Sequence, residues 1–354
     1  MKFKKDSNLF PLDILIFDMD GVLIDVSNSY HKTIQKTIQI YLEICLGFEK
    51  GRNGLISSKE VSLFKSVGGF NNDWDLTSGL LFYLLSISGI PCSSTHKKFS
   101  TIQEVVLYLK KKSSRFTQKK QILFKRKHLI SFLNRVKFSG GGLQGVRQAM
   151  EGSWNGWVYR TGNLGEDNLI KRIFQEVYLG KKFTSYYCLY PLFYKGRGFY
   201  LREKLLIEKE ILSTLRKKLR MGIASGRPRF EANLALKNFH LLPYFDSVIT
   251  LDECEAEETR ILRLTGKKVK LSKPHPYSVQ RTIQEIGVPK PRCGYIGDVV
   301  DDMRAARAVK KKWSMLAIGF LSGGSKKRSA RESLLKAGAD FIIDNPKQLL
   351  QFVA

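Results

Sequence analysis

Two carboxylates, Asp18 and Asp20, stand two residues apart where the short apolar run Leu12-Asp13-Ile14-Leu15-Ile16-Phe17 meets Gly21. Two acids meant to converge on one reacting atom belong where a buried strand ends in a turn, and Gly21 can supply the turn. One carboxylate can then act as a nucleophile. The other can protonate a leaving oxygen and afterwards activate water. Acidic loops are common, so the pair alone is an ambiguous signal.

Three later segments carry matching chemistry. Ser225 ends the strand-like run Arg220 to Ala224. Its hydroxyl and the backbone N–H groups of the turn through Gly226 can hold a phosphoryl oxygen at a helix N-terminus, or Ser225 can serve merely as an N-cap. Lys273, in Ser272-Lys273-Pro274-His275-Pro276, precedes a proline that favours extended backbone. A cation there can neutralise a phosphate and a carboxylate together. Gly297-Asp298-Val299-Val300-Asp301-Asp302 again places acids after an apolar strand. Oxygen donors of this kind suit Mg2+. Asp298 would bind the ion directly, Asp302 can face the same site four residues on, and Asp301 can cap the helix that follows.

The elements that must position these residues follow from hydrophobic patterning. Besides Leu12–Phe17 and Arg220–Ala224, strands are expected at Ser247–Thr250, Cys293–Ile296, Met315–Phe320 and Ala339–Ile343, with helices at Phe230–Phe239, Asp302–Lys311 and Gln348–Val353. Pro228 suits the first turn of the helix that follows it. Strands alternating with helices imply an α/β fold, a doubly wound parallel sheet covered on both faces. Such sheets bind ligands at the carboxyl ends of their strands. Between Val26 and Ser213 the rhythm breaks, with helical periodicity at Tyr30–Leu46 and, in pieces, at Val61–Leu85. The expected organisation is a discontinuous core, 1–25 and 214–354, interrupted by a mostly α-helical insert, 26–213. A lysine-rich stretch near 97–137 includes Lys110-Lys111-Lys112, Lys119-Lys120 and Lys125-Arg126-Lys127, and leads to Ser139-Gly140-Gly141-Gly142. It reads as a solvated helix or loop.

Composition is that of a folded protein. Sixty Lys and Arg against 32 Asp and Glu leave a formal charge of +28, which reads either as a field that attracts anions or as a proteome-wide drift toward lysine. The five cysteines, Cys45, Cys92, Cys188, Cys254 and Cys293, form no CxxC pair. That spacing excludes an obvious zinc or disulfide framework and suits a reducing cytoplasm. The basic start Met1-Lys2-Phe3-Lys4-Lys5 lacks the apolar run of a signal peptide, since Asp13 and Asp18 interrupt it. Gly79–Pro91, the longest apolar stretch, falls short of the about twenty residues a membrane span requires, and is expected as a buried helix.

Taken in order, Asp18-Met19-Asp20-Gly21-Val22, Ser225, Lys273, and Gly297-Asp298 with Asp302 resemble the four motifs of the haloacid-dehalogenase superfamily. The resemblance implies a Rossmann-like core in which Asp18 is the nucleophile and Asp20 the acid/base. Ser225 and Lys273 would bind phosphate. Mg2+ would be held by Asp18, Asp298 and the main-chain carbonyl of Asp20. The insert would be an enlarged cap of the phosphoglycolate-phosphatase-like subfamily. Gly69-Phe70-Asn71-Asn72-Asp73-Trp74-Asp75-Leu76-Thr77, Ile223–Pro228 and Gly297–Ala306 are similar to an uncharacterised branch of that subfamily.

Asp20 favours phosphoryl transfer over dehalogenation, which needs no leaving-group acid. A phosphonatase would need a Schiff-base lysine in the cap, and a phosphomutase a cap that retains a bisphosphate; both stay open. Asn71, Asn72 and Asp75 can bond polar substrate groups while Trp74 excludes water; alternatively, this is a helix-connecting loop with Trp74 buried. Arg227 can touch substrate or pair with a core carboxylate. His31 and His275 flank motifs without a catalytic role. The expected activity is Mg2+-dependent hydrolysis of a small phosphorylated metabolite. The alternative is a nucleic-acid-associated protein, a polynucleotide phosphatase or binding module using the basic insert. Aromatics are not interleaved with the basic run as in a stacking platform, so nucleic acid is expected to bind only through non-specific charge.

Overall fold

Ile14–Phe17 are buried at all four positions and lie in the middle of a parallel sheet. The computed structural model describes residues 11–49, 55–70, 72–117, 128–321 and 327–353. Its strands are β1 (Ile14–Phe17), β2 (Ile24–Asp25), β3 (Lys204–Leu205), β4 (Arg220–Ala224), β5 (Ser247–Ile249), β6 (Arg292–Gly297), β7 (Ser314–Phe320) and β8 (Phe341–Ile343). Six of them form one sheet in the order β5-β4-β1-β6-β7-β8. Every pairing in it is parallel. Near-continuous apolar runs are what parallel strands covered on both faces require. Helices Tyr277–Ile286 and Val300–Val309 pack on β4 and β7 respectively. Ile14, Ile16, Val279, Ile283, Met303, Val309 and Ala317 meet in one buried cluster. This is the expected doubly wound α/β fold.

The chain leaves β1 for β4 and β5 on one side, then crosses to β6, β7 and β8 on the other. The carboxyl ends of β1, β4 and β6 therefore flank the point where strand order reverses, the ligand-binding edge of such sheets.

The chain divides into two compact units, one running to Asp25 and resuming at Lys204, the other Val26–Glu203. The return to the core thus comes at Lys204 rather than at residue 214. The reason is local: Lys204–Leu205 pair antiparallel with Ile24–Asp25, and Leu206 N–H donates to the Leu23 carbonyl. Neither two-residue strand carries a periodicity that a sequence pattern can register.

The second unit is helical and has no strand among its described residues. Tyr30–Ile40 is α-helix, and the expected continuation to Leu46 is instead a π-helical turn, Tyr41–Cys45. The Tyr41 hydroxyl donates to the Trp157 carbonyl and accepts from Tyr159 N–H, tying that turn to a loop more than a hundred residues away. Helices follow at Ser58–Lys65, Asp73–Ser86, Ile102–Thr117, Leu129–Phe138, Gly142–Ala149, Leu169–Leu179 and Lys182–Tyr187. The apolar stretch beginning at Gly79 is the buried second half of Asp73–Ser86. The glycine run has a packing role. Gly142 N–H donates to the Gly68 carbonyl, and a Cβ at Gly69 or Gly142 would collide with the opposite backbone.

Lys110 and Lys111 are exposed, as a solvated helix requires. Lys112 departs from that reading: its Nζ donates to Ser93 Oγ and the Gly156 carbonyl and lies 4.3 Å from the Trp157 ring centre. Lys119-Lys120, Lys125-Arg126-Lys127, Asn71 and the basic start Met1–Lys5 lie outside the described residues. At the other end, the helix expected at Gln348–Val353 is a 3-10 helix, Pro346–Phe352. No described helix is long and apolar enough to cross a membrane.

Candidate active site

Parallel register fixes the site's first two corners. Phe17 lies beside Ile223 on β4 and Ile296 on β6, so the residues after each strand arrive at one edge. Asp18 continues the ladder by donating its N–H to the Ile296 carbonyl. The chain then folds back, with Gly21 N–H on the Ile24 carbonyl and Gly21 at φ 76°. A Cβ at Gly21 would overlap the Asp298 carboxylate, so the motif-one glycine both makes the turn and yields room for an acid from β6.

Asp18, Asp298 and Asp302 each place a carboxylate oxygen within 4.8 Å of the others. Lys273 Nζ stands 2.8 Å from Asp18 Oδ1 and 2.7 Å from Asp302 Oδ1. It comes from a loop in which His275 N–H closes a turn on the Ser272 carbonyl. Lys273 Nζ is also 2.8 Å from the Tyr295 hydroxyl, which donates to Asp302 Oδ1 at 3.0 Å. Asp302 Oδ2 accepts the Val299 N–H and so caps helix Val300–Val309, whose first turn also holds Asp301. With Oδ1 and Oδ2 so engaged, Asp302 supports the site through Lys273 and the helix end.

Burial pushes the Asp18 carboxyl up to about 8; Lys273 pulls it down, while Asp302, Asp20 and Asp298 add to the rise. Burial also works against the Lys273 cation, but Asp18 and Asp302 outweigh it and hold the ammonium well above lysine's ordinary range. Both shifts have one cause: several carboxylates share a dry space with one ammonium. A divalent cation is the natural complement. All the available donors are hard oxygens, and Asp18 and Asp298 come from adjacent strand ends, so the residues fit Mg2+.

Ser225 is buried, and its Oγ accepts the Arg227 N–H at 3.1 Å. The N-cap position of helix Arg229–Asn238 belongs to Pro228, so the serine is no simple cap and the proline stands just before the first turn. A Cβ built on Gly226 meets nothing within 4 Å. Arg227 pairs with a core carboxylate, Asp20, its Nε 2.6 Å from Asp20 Oδ1.

The suggested substrate-reading residues lie in the second unit. Asn72 caps helix Asp73–Ser86 by accepting the Asp75 N–H, and Asp75 pairs with Arg160 at 2.8 Å. Trp74 meets the Phe174 ring edge-on and lies under Lys171. His275 Nδ1 accepts the Tyr277 N–H, a local cap. Sequence reasoning passed over Tyr295. The signal available was slight: one hydroxyl-bearing aromatic in an otherwise small and aliphatic strand, Cys293-Gly294-Tyr295-Ile296-Gly297.

The family model described as a haloacid dehalogenase-like hydrolase matches residues 12–310. An X-ray structure from the Northeast Structural Genomics Consortium is 20% identical, with 96% of this chain and 97% of that one covered and a TM-score of 0.60. Phosphatase Tt82 from Thermococcus thioreducens is 18% identical, with 91% and 99% covered and a TM-score of 0.51. Both likenesses are of fold. No curated protein matches the chain.

Proposed function

This chain belongs to the haloacid dehalogenase-like hydrolase family, and from that premise we propose that it is a Mg2+-dependent phosphatase acting on a small phosphomonoester through a phospho-aspartate on Asp18. The observation that carries the proposal is the meeting of Asp18 with Lys273 at 2.8 Å beside the Asp298 carboxylate. A buried nucleophilic carboxylate next to a fixed ammonium is built to receive a group that carries negative charge of its own.

In the proposed reaction an Asp18 carboxylate oxygen attacks phosphorus and the bond from phosphorus to the ester oxygen breaks. Asp20 gives its proton to the departing oxygen. Water then attacks the phosphorus of the phospho-aspartate, losing a proton to Asp20, and inorganic phosphate leaves with the Asp18 carboxylate restored. Ser225 accepts the Arg227 N–H, so its own hydroxyl proton is directed to a phosphoryl oxygen. The Gly226 N–H and Lys273 Nζ bind the others. Asp18, Asp298 and the Asp20 carbonyl would hold Mg2+, which when bound neutralises phosphoryl charge and keeps Asp18 anionic. The presence of Asp20 supports phosphate esters over organic halides, whose leaving group takes no proton. Asn72 and Asp75 already serve a helix cap and an ion pair, and no step of this scheme depends on them.

The test is hydrolysis of 4-nitrophenyl phosphate by the wild type and by Asp18→Asn with Mg2+ present. The variant is expected to fold and to lose turnover by several orders of magnitude. Substantial residual turnover would overturn the nucleophile assignment.

A further inference from the structure

Asp20 reaches the site from a turn, and its side chain is 19% exposed; Arg227, which it meets, is 1% exposed. The buried cation is therefore the fixed member of the pair. Its main chain is held on both sides: the Arg227 N–H donates to Ser225 Oγ at 3.1 Å, and the Arg227 carbonyl accepts the Leu251 N–H at 2.9 Å. From that anchorage Nε donates to Asp20 Oδ1 at 2.6 Å. A charge-assisted hydrogen bond of this length to one carboxylate oxygen fixes the rotation of the whole group. The second oxygen, Oδ2, is then aimed in one direction.

We infer that Arg227 is a positioning residue for Asp20: by gripping Oδ1 it orients Oδ2 for proton transfer to and from the reacting oxygen. The inference rests on the phosphatase reading above. Arg227 acts through Asp20 rather than on substrate, because its Nε is spent on the carboxylate and its side chain is closed to solvent. The two residues are 207 positions apart and follow the paired strands β1 and β4.

The test compares the wild type, Arg227→Met, Arg227→Lys, Asp20→Asn and the Asp20→Asn/Arg227→Met double variant on two substrates. These are 4-nitrophenyl phosphate, whose leaving group needs little protonation, and phenyl phosphate, whose leaving group needs more. The quantity read is kcat/KM, which reports phosphoryl transfer. Arg227→Met is expected to lower kcat/KM for phenyl phosphate by about a hundredfold, and to affect the nitrophenyl ester far less. Arg227→Lys, keeping the charge and the aliphatic stem, recovers part of the loss. With Asp20→Asn already present, adding Arg227→Met costs no more than about twofold.

Equal losses on the two esters, losses that multiply with those of Asp20→Asn, or a raised KM at unchanged kcat would overturn the assignment. If Arg227→Met fails to fold, Arg227→Lys carries the same leaving-group comparison: selective loss on phenyl phosphate supports the role and an even loss overturns it. A wild type that hydrolyses neither ester brings down the phosphatase reading, and this role with it. An active wild type silenced by Asp18→Asn, with Arg227 variants that change both esters alike, brings down this role alone.

Discussion

Lys273 Nζ lies 2.8 Å from Asp18 Oδ1, and the same ammonium is 2.7 Å from Asp302, so one cation answers for two buried carboxylates. Lys273→Met would leave both without it. Removing one partner of a buried ionic cluster costs about 3 kcal/mol or more. In metal-free protein the variant is expected to melt well below the wild type at neutral pH. The sign follows from the lysine shift: a raised folded pKa stabilises throughout the range below lysine's unfolded value and is lost only as pH climbs through the folded one. An unchanged melting temperature from pH 6 to 9 would refute the bridging role.

Magnesium binding should be linked to Asp18. A carboxyl pushed up to about 8 favours the folded state when protonated, so its stabilising effect is full below its unfolded value of 3.8 and fades as pH rises toward 8. The ion competes with that proton. Saturating Mg2+ is therefore expected to raise the melting temperature of EDTA-treated protein more at pH 8 than at pH 5.5. Calorimetry showing the same increment at both values, or none, would contradict the assignment of Asp18 and Asp298 as ligands.

Gly21→Ala tests the room that the glycine leaves for Asp298. At φ 76° an alanine costs about 1–2 kcal/mol for its backbone alone, and its Cβ overlaps the Asp298 carboxylate. The variant is expected to lose both thermal stability and most of its stabilisation by Mg2+. A normal response to the ion would show that Asp298 does not need this space.

Away from the site, Glu253 anchors the start of helix Leu251–Thr265 by accepting from the Thr250 N–H and hydroxyl. Burial pushes its carboxyl up, but those bonds and Arg229 outweigh it and hold it below the usual value. A depressed carboxylate stabilises above its unfolded pKa and loses that contribution as pH falls through the folded one. Glu253→Gln should cost about 1 kcal/mol at pH 7, with the gap to wild type narrowing below about pH 4.5. Denaturant melts at pH 7 and pH 4 giving equal gaps would dismiss the charge component.

The thiols offer a check on the packing of both units. Cys92 and Cys188 are exposed, while Cys45, Cys254 and Cys293 are buried, the last two pushed up to about 12 by burial. Because the thiolate is the reactive form, an aromatic disulfide reagent at pH 8 should label two cysteines quickly and the other three only after unfolding. Rapid labelling of Cys254 or Cys293, located by peptide mapping, would argue against the buried core around them.

Before any tertiary information, the sequence determined the strand ends. Ile14–Phe17, Arg220–Ala224 and Arg292–Gly297 are short apolar runs that stop at polar turns, and that grammar is local, so Asp18, Ser225 and Asp298 were legible as one family's ordered motifs. Which of these residues touch was decided by the sheet alone. Arg227 gripping Asp20, Tyr295 bridging Lys273 and Asp302, and the return to the core at Lys204 depend on strand register and side-chain direction between segments up to 207 residues apart. No pattern within a single segment encodes a partner's position, because the energy that selects it belongs to packing between segments and not to either one.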